Sequence, residues 1–438
     1  MHVLVASCVF PPEPMTSALT SEHLALGLLQ RGHRVTVITG FPSHPEGRLY
    51  PGYRWRVWQS ETTPAGYRLI RAGAWISRRS TALSRFAENV TFGLTSSLRT
   101  LPLRPDVVYS NTWPIFATGM LQAVCRLRGV PVVISVQDIH PEAAAQLGKL
   151  RRDGLATRLL KQLDRTIVHR AAGVVTISQS FVDFYREVRG VPADRLHLVP
   201  NWLDEEEIVP EPRAGWFRQR LGIPPEAFVV MYAGSVGSVA GVELLIEAAG
   251  LLRHRSNLVV VVAGNGNARE ACERLSREMK LNNVRFFYPW ARHETSGVQA
   301  AADLFVLPTR GAGALTSVPS KLIGYMLSGR PVLAAVDPAS DSAQTIRKAA
   351  CGVCIPPDSP AAMAAAIEAL MQQPERLEEM GENARRYAVQ HFSRRVGVER
   401  LIGILEGAAQ QNGRARPGRR GPQPPGASAA HPQGNSLP

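Results

Sequence analysis

The feature that most constrains this chain is a repeated alternation of short apolar runs with longer amphipathic ones. "HVLVASC" is followed by "SALTSEHLALGLLQRG", whose apolar residues recur at helical spacing up to Gly32, and then by "HRVTVITG". Strand, helix and strand in that order form a βαβ unit. The pattern returns in "DVVYSN", "GMLQAVCRLRG", "PVVISVQD", a helix over about 154–172, and "GVVTIS". Parallel strands joined by helices need both faces of their sheet covered, so the expected class is doubly wound α/β.

A polar, acidic stretch around "VPNWLDEEEI" interrupts the series, and a hinge is expected at 203–213. A second series starts at "FVVMYAG" and runs through "GVELLIEAAGLLRHR", "LVVVVAGNG", a helix over 268–279, "VRFFYP", "ADLFVLP", "KLIGYMLSG" and "PVLAAVD". A chain of 438 residues is long enough for two such cores. The expected division is a domain over 1–205, a second over 206–392, a helix over 393–410 crossing back to the first, and a tail over 411–438. That tail is rich in Pro, Gly and Arg, cannot bury a core, and reads as disordered. No period of 20 to 50 residues repeats, which excludes a solenoid.

Composition narrows the setting. No apolar run approaches the ~18 residues of a membrane span, and "MHVLVASCVFPPEP" fits a first strand better than a secretory signal. The five cysteines are odd in number and scattered, as expected in a reducing compartment, which points to the cytoplasm. "CGVC" has metal or redox spacing but no second ligand pair nearby, and reads as the start of a strand; no metal and no cofactor are expected. The formal net charge of +14 calls for an anionic partner. Nine arginines against three carboxylates fall between Gly52 and Asp106, interleaved with Trp55, Trp58, Tyr67, Trp75 and Phe86. From charge alone the anionic partner is nucleic acid, anionic lipid or a phosphorylated substrate, and the belt can also be a solvated arginine-rich surface. No nucleic-acid module is recognisable, and nucleic acid is not an expected partner.

In doubly wound domains a ligand sits at the carboxyl ends of the strands, where loop amides and helix amino termini converge. The loop "FPPEPMTSALTSEH" after the first strand offers Thr16 and Ser17 either as acceptor contacts or as a plain helix cap. "SVQDIHPEAAAQLG" crowds Gln137, Asp138, His140 and Glu142 at a strand end. Either they hold acceptor hydroxyls, with Asp138 assisting proton removal, or they cap and charge the next helix. In "YAGSVGSVAGVE", Gly234 and Gly237 allow backbone amides close to a diphosphate and Ser235 adds a hydroxyl; "VVAGNGNARE" repeats the device at Gly264, Asn265 and Gly266. Tyr288, Pro289 and Trp290 end a strand where a nucleobase can stack, although an aromatic there can equally be core. "LPTRGAGALTSVPSKLIGYML" supplies Arg310, then Ser320 and Lys321 opening a helix. A cation at a helix amino terminus opposes the dipole unless an anion lies between them.

These segments, with "FPPEP", "QDIHPE", "VTISQSF", "VPNWLD", "AADLFVLP" and "VPSKLIGYMLSGRPVLAAVD", resemble in order the retaining glycosyltransferases of family 4, which have the GT-B fold. Among them the chain is similar to the bacterial polysaccharide-assembly group of colanic-acid, O-antigen, capsule and fucosamine transferases. The likeness runs from about His2 to Phe392. It implies two Rossmann-like domains facing a cleft, with the acceptor on the first and a nucleotide-sugar donor on the second. It also implies transfer with retention, no obligatory metal, and a lipid-linked or other glycan acceptor at the inner face of the cell membrane. The implied catalytic residues are Gln137, Asp138, Arg310 and Lys321.

The sequence departs from the family at three places. Ser235 and Ala240 stand where the pattern has an arginine and a lysine, Gln137 where it has a histidine, and Thr316 and Gly324 where it has two glutamates eight residues apart. Two other readings stand beside transfer: a nucleotide-sugar epimerase on the same fold, with Asp138, His140 and Glu142 as its acid and base groups, or a non-catalytic basic binding protein, consistent with the charge of +14 and the missing glutamates.

Overall fold

The computed structural model describes residues 1–79, 81–111, 114–142, 151, 154–237, 240–309 and 319–414. Two sheets organise it. The first contains β1 (His2–Ala6), β2 (Arg34–Gly40), β3 (Trp58–Thr62), β4 (Arg68–Ala72), β5 (Val107–Asn111), β6 (Val132–Val136), β7 (Gly173–Thr176) and β8 (Leu196–Leu198). Their order is β3-β4-β2-β1-β5-β6-β7-β8. All neighbours run parallel except β3, which pairs antiparallel with β4 at the sheet edge. The helices α1 (Thr16–Gln30), α2 (Ala82–Thr100), α3 (Ile115–Leu127), α4 (Leu155–Arg170) and α5 (Gln179–Glu187) cover it.

The second sheet is wholly parallel, in the order β11-β10-β9-β12-β13-β14. It follows α6 (Trp216–Arg220) and alternates β9 (Phe228–Ala233), α7 (Val242–Leu251), β10 (Leu258–Ala263), α8 (Arg269–Glu278), β11 (Val284–Phe287) and α9 (Thr295–Ala300). Then come β12 (Leu304–Pro308), α10 (Ser320–Leu327), β13 (Val332–Ala335), α11 (Asp341–Ala349) and β14 (Gly352–Ile355), with "CGVC" at the start of that last strand. The chain ends in α12 (Pro360–Met371), α13 (Pro374–His391) and α14 (Arg394–Arg414).

The strand period of two builds a core on each face. Along β1, Val3 and Val5 pack with Leu24, Leu28 and Leu405, while Leu4 and Ala6 pack on the other face with Phe92, Leu121 and Ile134. Leu405 belongs to α14, so the last helix does cross back and joins the first core with Val398, Leu401 and Ile402. Residues 411–414, expected in the tail, belong to the last helix: α14 runs to Arg414. Asn412 donates from Nδ2 to the Gly129 carbonyl at 3.0 Å, a tertiary contact that local composition does not reveal. The residues after Arg414 lie outside those described.

The two crossings between the sheets run side by side. Leu203 N–H donates to the Phe392 carbonyl at 3.2 Å, Arg394 N–H donates to the Leu203 carbonyl at 3.0 Å, and Arg394 pairs with Asp204 at 2.7 Å. Ser180 Oγ, on α5, donates to Asp341 Oδ2, on α11, at 2.5 Å and tethers the units at a second place. Among the described residues no helix is long and apolar enough to cross a membrane.

Candidate active site

The loops after β9 and β10 are stacked backbone on backbone. Val236 N–H donates to the Asn265 carbonyl at 2.9 Å, Ala268 N–H to the Val236 carbonyl at 3.1 Å, and Gly234 N–H to the Ala263 carbonyl at 2.8 Å. Only glycine fits at the contact. Gly264 has φ +157°, and a Cβ there would lie 1.8 Å from the Gly234 carbonyl oxygen. Gly234 has φ +145°, and its missing Cβ leaves the space that the Lys321 stem fills, with Cε 2.6 Å from where the atom would be.

Lys321 therefore lies across the first glycine turn. Its ammonium is 5.8 Å from the centroid of the Tyr232 ring, and it has no carboxylate within ion-pair reach among the described residues. Burial pulls its pKa below the ordinary lysine value. Ser320 begins α10, whose cap residue Pro319 makes no side-chain hydrogen bond, so its first-turn amides are uncapped by any side chain beside that cation. A cation unpaired among the described residues, a helix start without a side-chain cap and two glycine turns meet here, a cradle chemically able to hold an anionic group.

Two tyrosines that sequence reasoning passed over hold the cradle. Tyr325 Oη accepts from Ala233 N–H at 3.0 Å and donates to the Ala233 carbonyl at 2.8 Å, while its ring stacks on Phe305 at 3.8 Å. Tyr232 Oη donates to the Ser235 carbonyl at 2.5 Å. Their signal was in "YAGS" and "GYML": a tyrosine inside an otherwise apolar element must satisfy its hydroxyl. Ser235, Asn265 and Gly266 are exposed on the turns, and Gly237 is half-buried.

The segment after β11 separates its aromatics. Tyr288 is 51% exposed. Trp290 is half-buried, stacked 6.3 Å from Phe287 and bonded through Nε1 to Thr295 Oγ1 at 3.3 Å. Of the three residues 288–290, Tyr288 offers the open ring and Trp290 packs on the core. At Gly324 an added Cβ would meet Gln299 Nε2 at 3.3 Å, so the place of a carboxylate is bordered by that amide. Arg310 and Thr316 lie outside the described residues.

On the first unit, Gln137 leaves β6 half-buried and donates from Nε2 to Ser135 Oγ at 3.0 Å. Asp138 sits on an exposed bend, and desolvation raises its pKa against the opposing pull of His140. His140 Nε2 is buried without a hydrogen-bond partner among the described residues. Glu142 spends its carboxylate on Arg189, at 2.8 Å, with Lys161 at 3.8 Å. Arg189 also grips Asp164 at 2.7 Å and the His140 carbonyl at 3.2 Å, so Glu142 anchors the loop that presents Asp138. Thr16 and Ser17 are the first residues of α1; the cap position is Met15 and makes no side-chain bond, so neither hydroxyl is the helix cap.

A buried chain of charge went unread in the sequence. Glu13, 1% exposed, accepts backbone N–H bonds from Phe10 at 3.1 Å, Ser43 at 3.0 Å and His44 at 2.9 Å. His44 contacts Glu13 through Nδ1 at 3.0 Å and Glu88 through Nε2 at 2.7 Å. The two carboxylates outweigh the desolvation of the ring and raise the His44 pKa to about 9. The signal was a carboxylate enclosed by prolines in "FPPEP", next to a buried run. The arginine belt also divides: Arg71 and Tyr67 point inward, 3% and 4% exposed, while Trp55, Trp58, Trp75 and Phe86 face out. Among the described residues no cluster of His, Cys, Asp and Glu is suited to a metal ion.

Two doubly wound parallel-sheet units in succession, the second carrying the stacked glycine turns and Lys321 at its strand ends, have the architecture of the GT-B glycosyltransferase class. The chain belongs to it: residues 17–202 match the glycosyl transferase 4-like domain and residues 216–387 the glycosyl transferases group 1 domain. It is similar to the colanic acid biosynthesis glycosyl transferase WcaI of Escherichia coli, which is itself a tentative assignment, at 23% identity over 93% of this chain and all of that one. The probable glycosyltransferase WbjE of Pseudomonas aeruginosa is 25% identical over 69% of this chain and 74% of its own. Solved structures share the fold. Sucrose-phosphate synthase of Thermosynechococcus elongatus superposes with a TM-score of 0.74 at 17% identity, covering 94% of this chain and 100% of that one. HepE of Anabaena in complex with UDP gives 0.68 at 16% identity, covering 93% and 100%.

Proposed function

We propose that this glycosyltransferase moves a sugar from a nucleotide diphosphate donor, of the UDP-N-acetylhexosamine or GDP-sugar type, to a polyprenyl-diphosphate-linked or other glycan acceptor. Transfer proceeds with retention and serves the assembly of an envelope, capsule or exopolysaccharide. The observation that carries this reading is Lys321, a half-buried cation with no ion pair among the described residues, laid over a glycine turn. The relative named for colanic acid biosynthesis and the UDP-bound relative of the same fold support it.

In this reading the diphosphate lies along the 234–237 and 264–266 turns, with Lys321, Arg310 and Ser320 facing the charge that grows as the glycosidic bond breaks. Tyr288 stacks on the base. Gln137 and Asp138 face the reacting carbon from the first unit, and Asp138 takes the proton of the attacking hydroxyl. Thr16, Ser17 and His140 border the acceptor. The exposed Trp55, Trp58 and Trp75 among arginines support a peripheral contact with the anionic inner face of the cell membrane.

The test is release of nucleoside diphosphate from a panel of UDP-, GDP- and dTDP-sugars with lipid-linked glycan acceptors, in the full chain and in Arg310→Ala and Lys321→Ala. Acceptor-dependent release lost in both variants supports the reading. Failure of every donor to bind or react defeats it, and an epimerised donor formed without acceptor replaces it with epimerisation.

A further inference from the structure

We propose that the groove between α2 and the segment leaving β4 seats the apolar chain of a lipid phosphate, with the phosphate directed toward Arg78. This rests on the lipid-linked acceptor reading above and assigns the part of the acceptor remote from the transferred sugar.

The groove holds about 600 Å³ and is walled by Leu49, Trp55, Trp75, Ile76 and Leu94, with Thr91 and Thr95 along its floor. Its polar groups are turned into the wall. Trp55 Nε1 donates to the Ala74 carbonyl at 2.9 Å, Trp75 N–H donates to Thr91 Oγ1 at 2.8 Å, and Thr95 Oγ1 donates to the Gly73 carbonyl at 2.8 Å. What remains facing the space is hydrocarbon and indole. A peptide segment laid there would strand its own N–H and C=O groups, whereas an isoprenoid or acyl chain carries none. The groove is open, but its walls are fixed by those hydrogen bonds and keep one shape for a single chain.

Beyond Trp75 and Ile76 the surface changes character. The same two residues wall an adjoining cleft with Ser77, Arg78, Ser84 and Glu88. Arg78 is exposed and makes no ion pair among the described residues. An apolar slot opening into a cationic cleft matches an amphiphile with a phosphate at one end. The position is right for an acceptor: β4 ends at Ala72, so Trp75 to Arg79 leave the carboxyl edge of the sheet, the edge from which Gln137 and Asp138 also emerge.

The probe is farnesyl diphosphate below its micelle concentration, titrated calorimetrically into the full chain, with geranyl diphosphate, farnesol and inorganic diphosphate as comparisons. Farnesyl diphosphate is expected to bind at least tenfold tighter than geranyl diphosphate, because added carbons are buried. Leu94→Asp and the slot-filling Leu94→Trp should each weaken it at least tenfold; both alter a half-exposed position that the fold tolerates. Arg78→Ala should weaken farnesyl diphosphate and leave farnesol unchanged. Binding insensitive to Leu94, or no binding although phosphatidylglycerol vesicles still sediment the protein, overturns the chain site; the second result makes the face a membrane surface. Chain binding that persists when no nucleotide sugar is turned over leaves this site standing and removes only the transferase reading.

Discussion

Replacing Lys321 with methionine separates binding from structure because the two effects have opposite signs. Methionine keeps the unbranched stem beside Gly234, where the Lys321 Cγ, Cδ and Cε fill the space of the missing Cβ. It removes a charge that burial already disfavours. The free variant should melt at the same temperature as the parent or higher. Nucleoside diphosphate binding should weaken, since a hydrogen bond to a charged group contributes about 1.5–3 kcal/mol, or about 10- to 150-fold in Kd. Differential scanning fluorimetry and calorimetric titration give the two numbers. The pH dependence adds a sign. The folded-state pKa of Lys321 lies below the unfolded 10.5, so the unfolded chain holds more protons in that window. Parental stability therefore gains a rising component as pH climbs through it, absent from the variant. Diphosphate affinity of the parent falls over the same window. A variant that melts several degrees lower and binds nucleoside diphosphate unchanged would refute the reasoning and make Lys321 a packing residue.

Gly264→Ala should cost about 1–3 kcal/mol in denaturant titration and abolish nucleotide binding, because the new Cβ would sit 1.8 Å from a backbone oxygen. His44, raised from 6.5 to about 9, contributes stability that is fully present below pH 6.5 and lost as pH rises through 9. The contribution is on the order of 3 kcal/mol, and urea melts at pH 6.5 and 9.5 should show His44→Gln without that slope. Asp138→Asn should lower kcat by about 10²- to 10⁴-fold while nucleoside diphosphate affinity is unchanged, read by single-turnover kinetics against calorimetry. Gly324→Glu should weaken donor binding, since even the Cβ crowds Gln299 at 3.3 Å; tighter donor binding with intact turnover would show that a carboxylate is still accommodated there.

The second sheet was legible throughout because its strands are continuous apolar runs and its turns carry glycines. The stretch between β2 and β5 was not. β3, "WQSET", is an edge strand with little burial, and the middle of α2, "TFGLTSSL", has the composition of a loop. That helix is held by tertiary contact: Gly93 lets α3 approach so closely that an added Cβ would lie 2.8 Å from the Ala117 Cα. A capping box between Thr81 and Ser84 fixes its start. The Glu13–His44–Glu88 chain joins residues 31 and 44 positions apart, and only the fold brings them together. For the same reason Glu142 looked like a ligand contact from its neighbours in sequence. Arg189, distant in sequence, takes its charge. Lys321 was legible because a cation opening a helix is locally unfavourable, and that cost needs an anion to offset it.

Hydrogen exchange of the full chain with and without a saturating nucleoside diphosphate tests the central claim most directly. The account predicts new protection concentrated in residues 233–237, 263–268 and 320–324, with the first sheet little changed. Protection falling on the arginine-rich face of the first unit, or none at any nucleoside diphosphate, would contradict it.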